Sequence, residues 1–160
     1  MMPTSFTQYG FNPATQTKLF VIELPSFQTL EHVAFPVKPG TIFIAADSRE
    51  VSTDDIARVA ERLLQQGLRY MCVWGPDCER VHDIFDEMYV GKGDHPYKFD
   101  MMTTCHDDES VGEALWFFLN CATVEENEMI GRASFAVRIG NPAGSAPISE
   151  LIQRIEEFID

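Results

Sequence analysis

Residues 41–74 read TIFIAADSREVSTDDIARVAERLLQQGLRYMCVW. Thr41–Ala46 (TIFIAA) and Arg69–Trp74 (RYMCVW) are nearly unbroken apolar runs, as expected of strands buried on both faces. Between them Ile56, Val59, Ala60, Leu63 and Leu64 recur at i, i+3, i+4, i+7 and i+8, which puts them on one face of a helix. Ser52 or Thr53 can cap the start of that helix and Gly67 can stop it. Strand, helix and strand in this order predict a right-handed crossover between parallel strands.

The alternation continues toward the C-terminus. Val81, Ile84, Phe85, Met88 and Tyr89 repeat the helical spacing, with Asp77 as candidate N-cap and Gly91 as the stop. Phe99–Thr104 reads as a strand. Ser110–Val111–Gly112–Glu113 is a capping box, so a third helix starts at Val111. Its body, Ala114–Cys121 (ALWFFLNC), is apolar nearly all round, which assigns Trp116, Phe117 and Phe118 to the core. Ser134–Ile139 alternates, with Phe135, Val137 and Ile139 on one side, and predicts a partly exposed strand near an edge. Ile148, Leu151, Ile152, Ile155 and Ile159 give a fourth helix, with Pro147 in its first turn.

Toward the N-terminus, Leu19–Leu24 is a further strand. Pro25–Gly40 joins it to the next without a clear helix, which suggests an antiparallel edge for Leu19–Leu24. Residues 1–17 read as a loosely ordered arm. The expected fold class is α/β: a single Rossmann-like three-layer domain over residues 1–160, with a mainly parallel sheet of about five strands and helices on both faces.

The composition, 45% hydrophobic and 23% charged over 160 residues, is that of one folded domain and excludes disorder, collagen and coiled coil as the main state. No run approaches the roughly 18 apolar residues of a membrane helix. The polar start of the chain has no apolar signal core, and Cys72, Cys78, Cys105 and Cys121 form no disulfide framework, so a cytoplasmic protein is expected. The formal net charge is −13, and residues 77–128 alone carry fourteen acids against three bases (Arg80, Lys92, Lys98). Such a surface repels phosphate backbones and anionic membranes, which argues against nucleic-acid and membrane partners. A basic protein or a metal cation is the complementary partner, although acidity also serves plain solubility.

In open α/β sheets, ligands bind beyond the carboxyl ends of the strands. The segments placed there are Asp47–Ser48–Arg49, Trp74–Gly75–Pro76–Asp77–Cys78, Thr103–Thr104–Cys105–His106–Asp107–Asp108–Glu109 and Gly140–Asn141. Asp47, Trp74, Asp77, His82, Thr104 and His106 are therefore the candidate ligand-binding rim. His106 is expected to be accessible there and to tolerate replacement by alanine. No dinucleotide glycine motif, P-loop, nucleophile elbow or C-x-x-C occurs.

His106 and Asp108 can ligate a divalent metal, with Asp47 or Asp77 arriving from neighbouring strand ends. The competing reading is that Asp107, Asp108 and Glu109 serve the helix dipole, at about 0.3–1 kcal/mol each. Cys78, His82 and Asp86 lie four apart on one stripe, a thiol–imidazole–carboxylate set. Against this, Cys78 falls on the core-facing positions, and His82 with Asp86 reads as a surface pair. Trp74 can stack on a flat ligand or cap the core.

These stretches also carry a family resemblance. Trp74–Gly75–Pro76–Asp77 with His82–Asp83 and Asp86, then Thr103–Thr104 with His106–Asp107–Asp108–Glu109, lead into Glu113–Ala114–Leu115–Trp116–Phe117–Phe118. The chain resembles, over roughly residues 19–140, an uncharacterised bacterial family built on a domain of unknown function. Members of that family often have tryptophan where this chain has Cys105, which the resemblance turns against a catalytic thiol at that position. It implies one compact α/β domain with the rim segments as the place to look, and no activity.

The expected function is a small acidic soluble binding module. It engages a basic protein partner or a small ligand at the carboxyl rim, without a cofactor. The alternative is a metal-dependent hydrolase using His106 and the rim carboxylates, with a divalent metal activating water.

Overall fold

The computed structural model describes residues 6–142 and 145–158. Strands β1 (Thr7–Asn12), β2 (Thr17–Leu24), β3 (Lys38–Ala45), β4 (Tyr70–Trp74), β5 (Met102–His106) and β6 (Arg132–Ile139) form one sheet. Its order is β1-β2-β6-β3-β4-β5. β2, β6, β3, β4 and β5 are mutually parallel, and β1 runs antiparallel to β2. Helices α1 (Thr53–Gln65), α2 (Cys78–Val90), α3 (Val111–Asn120) and α4 (Ile148–Phe158) follow β3, β4, β5 and β6 respectively. No helix among the described residues is long and apolar enough to cross a membrane.

The helix starts follow from local chemistry. Ser52 Oγ accepts from the Asp55 amide, and Ser110 Oγ accepts from the Glu113 amide, each at 3.1 Å. These bonds satisfy amides that the first turn leaves without a helical partner. Alternate strand residues then divide between two apolar clusters. Ile22, Ile42, Ile44, Met71, Val73, Phe135 and Val137 pack with α1, α2 and a 3₁₀ turn at Phe27–Glu31. Leu19, Val21, Phe43, Ala45, Cys72 and Ala136 pack with α3 and α4. Each fully buried aliphatic side chain in these clusters contributes about 1.5–3 kcal/mol.

Several expectations need correction. The sheet has six strands, because Thr7–Asn12 in the expected arm pairs with β2, where buried Asn12 donates to Ser134 Oγ (3.1 Å). Residues 1–5 of that arm and Ile159 lie outside the described residues. β2 is accordingly not the antiparallel edge, since β1 takes that place. β6 is not near an edge: it lies between β2 and β3, and its alternation reflects large residues on one side against Ser134, Ala136 and Arg138 on the other. Arg138 tolerates burial because its guanidinium donates to Glu23 (2.6 Å) and to Ser145 Oγ (3.0 Å). The fourth predicted strand is displaced: it ends at His106, not at Thr104.

Candidate functional site

Parallel strands bring the four segments of the predicted rim to one end of the sheet, with Ala45 opposite Trp74 and Trp74 opposite His106. Across β3 and β4 this end is stitched shut. The Arg80 guanidinium donates to the Ser48 and Val51 carbonyls at 2.7 Å each, and to Asp77 at 2.7 Å. The Ser48 amide donates to the Pro76 carbonyl (3.0 Å). Gly75 makes this turn possible: at φ +122°, a Cβ there would stand 1.9 Å from the Ala46 carbonyl oxygen. Asp77 occupies the N-cap position of α2 with φ +65°, but its carboxylate faces Arg80 and caps nothing. Asp47 is held by its neighbour Arg49 (2.6 and 3.0 Å), which pulls its carboxyl below the ordinary range.

His106 departs most from expectation. It is 5% exposed, and both ring nitrogens are engaged, Nε2 with Thr104 Oγ1 and Nδ1 with Glu109 Oε1, each at 2.9 Å. Its ring lies 4.9 Å from that of Phe117. The extension of β5 explains this: paired with Trp74, residue 106 belongs to the sheet and its side chain to the packing beneath α3. Trp74 donates its indole N–H to the Glu109 carbonyl (2.8 Å) and packs in the α3/α4 cluster, so it caps the core. His106 and Trp74 thus hold Glu109 in the loop that follows β5.

The remaining candidates do not converge. His82 lies along the surface of α2, 3.1 Å from Asp83 and 3.6 Å from Asp86. Asp86 instead accepts from Thr103 (2.6 Å). Asp108 is exposed in the turn before α3. Among the described residues, no three His, Cys, Asp or Glu side chains form a group able to hold a metal ion. The suggested centre of His106, Asp108, Asp47 and Asp77 therefore does not assemble: two carboxylates answer to arginines, and the imidazole is already satisfied.

Besides a smaller opening of about 280 Å³ lined by Asp47, Gly140 and Asn141, what opens at this end is a groove between α3 and α4. It has a volume of about 620 Å³ and runs from Glu109–Glu113 along Trp116 and Phe117 to Leu151 and Ile155. Trp116 is 45% exposed within it, which corrects the core assignment. The cause is legible in the helix itself. Val111, Ala114, Leu115, Phe118 and Leu119 make one complete buried face, and position 116 points away from it. An indole left out of that face was the available signal. Among the described residues of the groove, Arg154 is the one base, and it is paired with Glu150 (2.5 Å).

No curated protein and no solved structure matches the chain. A family model, the domain of unknown function DUF7684, matches residues 19–155. That span takes in β2 through most of α4, including the strand ends and the groove, and the chain belongs to this family.

Proposed function

We propose that this protein is a small acidic binding module whose partner is a protein bearing a basic, amphipathic helix, seated in the groove between α3 and α4. The observation that carries the reading is Trp116, a large aromatic side chain 45% exposed on an apolar floor. Exposed aromatics in a groove are the usual anchors of helix-in-groove recognition. Charge complementarity sets the sign of the partner. Glu109 and Glu113 stand at the mouth of the groove, with Asp107 and Asp108 exposed beside them. The surrounding segment 77–128 carries fourteen acids and three bases.

The strand-end rim enters this reading as the wall of the groove, since Glu109 belongs to both. The same reading takes the chain as a Rossmann-like three-layer domain acting in the cytoplasm; the separate cluster on each face of the sheet supports the layering. A hydrolase is the weaker reading, because His106, Asp47 and Asp77 are spent on other contacts.

Calorimetric titration with a synthetic leucine–lysine amphipathic helix tests the proposal. The wild-type protein binds it, Trp116→Ala abolishes the heat, and Glu109→Gln with Glu113→Gln weakens binding and its salt dependence. The same peptide with glutamate in place of lysine does not bind. Equal binding by Trp116→Ala, or equal binding of the two peptides, overturns the proposal.

A further inference from the structure

Cys78 is the first residue of α2 and Cys105 lies in β5. Their sulfurs are 2.8 Å apart, and both side chains pack in the cluster beneath α1 and α2. We infer that Cys78 and Cys105 are a thiol pair that a hydroperoxide converts to an intramolecular disulfide, joining the start of α2 to β5. The inference does not depend on what occupies the groove.

The contact is enforced by the fold. Val73 is paired with Cys105 in the parallel register of β4 and β5. The tight turn at Gly75 brings the chain back so that the Cys78 amide donates to the Gly75 carbonyl (3.1 Å). That turn cannot swing away, because the Ser48–Pro76 and Arg80 contacts hold it. The turn therefore keeps the two sulfurs facing each other at 2.8 Å. Accessibility divides the labour: Cys105 is half-buried and Cys78 fully buried. Burial pushes both thiols above the usual cysteine value, which keeps the thiolate fraction low and makes oxidation slow.

The steps balance. The Cys105 sulfur attacks one peroxide oxygen, and the O–O bond breaks. The sulfur keeps that oxygen as a sulfenic acid, and the other oxygen leaves as water (or an alcohol) with the thiol proton. The Cys78 sulfur then attacks the sulfenic sulfur. An S–S bond forms, the S–O bond breaks, and a water leaves carrying the Cys78 proton. The two thiols lose two electrons, and one hydroperoxide accepts them. Disulfides of this transient kind are the ones that occur in reducing compartments.

The test uses the full chain carrying Cys121→Ser, which removes the exposed competing thiol. After treatment with hydrogen peroxide and quenching, the intact mass falls by two hydrogens. A non-reducing digest yields one cross-linked species joining the Cys78 and Cys105 peptides, and dithiothreitol reverses it. The oxidised form melts several degrees higher, because the link closes the chain between α2 and β5 in its native geometry. In Cys78→Ser the sulfenic acid at Cys105 persists and is captured by a cyclic dione. Should that variant fail to fold, the peptide map of the Cys121→Ser chain decides alone. Oxygen adducts at Cys105 without a cross-link, a link made through Cys72, no loss of thiol, or a lowered melting temperature would each overturn the inference.

Discussion

The two faces of the sheet obey one patterning rule and end differently. On the α1/α2 face the helices are joined by a third element. The 3₁₀ turn Phe27–Glu31 lies beside α1, and Arg62 seals the seam by donating to the Leu30 (2.7 Å) and Val33 (2.5 Å) carbonyls. Its guanidinium also sits 5.1 Å over the Phe35 ring. On the other face α3 and α4 have no such third element between them among the described residues, and the space remains as the groove. Amphipathic periodicity puts helices on a sheet. Whether they close over it depends on what the connecting segments supply to fill the gap.

Five substitutions break or sharpen this contrast. Gly75→Ala strikes the turn that feeds α2 and has the largest expected effect: a loss of about 4 kcal/mol or more, since the new Cβ collides with backbone and not with a movable side chain. Urea denaturation measures it, and a mild effect would mean that this end of the sheet is less rigidly stitched than its contacts indicate.

Next come Leu63→Ala in α1 and Leu115→Ala in α3, both fully buried. Each costs about 2–5 kcal/mol. Leu63 falls toward the upper end and Leu115 toward the lower, because α3 can relax into the groove. Indistinguishable unfolding free energies would remove the claim that the faces differ in closure.

His106→Ala follows at about 2 kcal/mol, the sum of a small cavity and two orphaned partners. A near-neutral melting curve would return His106 to the accessible rim that the sequence suggested. Smallest is Trp116→Ala, which should change stability by less than about 1 kcal/mol while removing the basic-helix binding described above. A large loss of stability would place the indole in the core after all.

Much of the fold beneath this contrast is legible in the sequence. The runs TIFIAA and RYMCVW, the spacing of Ile56 to Leu64 and the capping Ser110 are local signals, and each produced its element near the expected place. The candidate site was legible only in outline. Parallel strands do bring Asp47, Trp74, Asp77 and His106 to one end, but linear order does not say which polar groups meet. Arg49 and Arg80, to which no role had been given, take the two aspartates. The boundary of β5 was misplaced by two residues, enough to turn His106 from a rim ligand into a packed, doubly bonded side chain. Trp116 was hidden by composition: in ALWFFLNC every residue looks buried until the completed face Val111, Ala114, Leu115, Phe118 and Leu119 shows which positions are left over.

By itself the sequence determined the α/β alternation, the parallel run of the central strands, the helix starts and the concentration of negative charge in residues 77–128. Each is set by periodicity, capping or composition over a few neighbouring residues, so no distant contact is needed to read it. Tertiary structure alone decided that β6 inserts between β2 and β3, that β1 covers the outer edge of β2, that Cys78 meets Cys105, and that α3 and α4 leave a groove. These outcomes depend on which residues far apart in the chain win the same space, and that competition is settled by packing the whole domain at once.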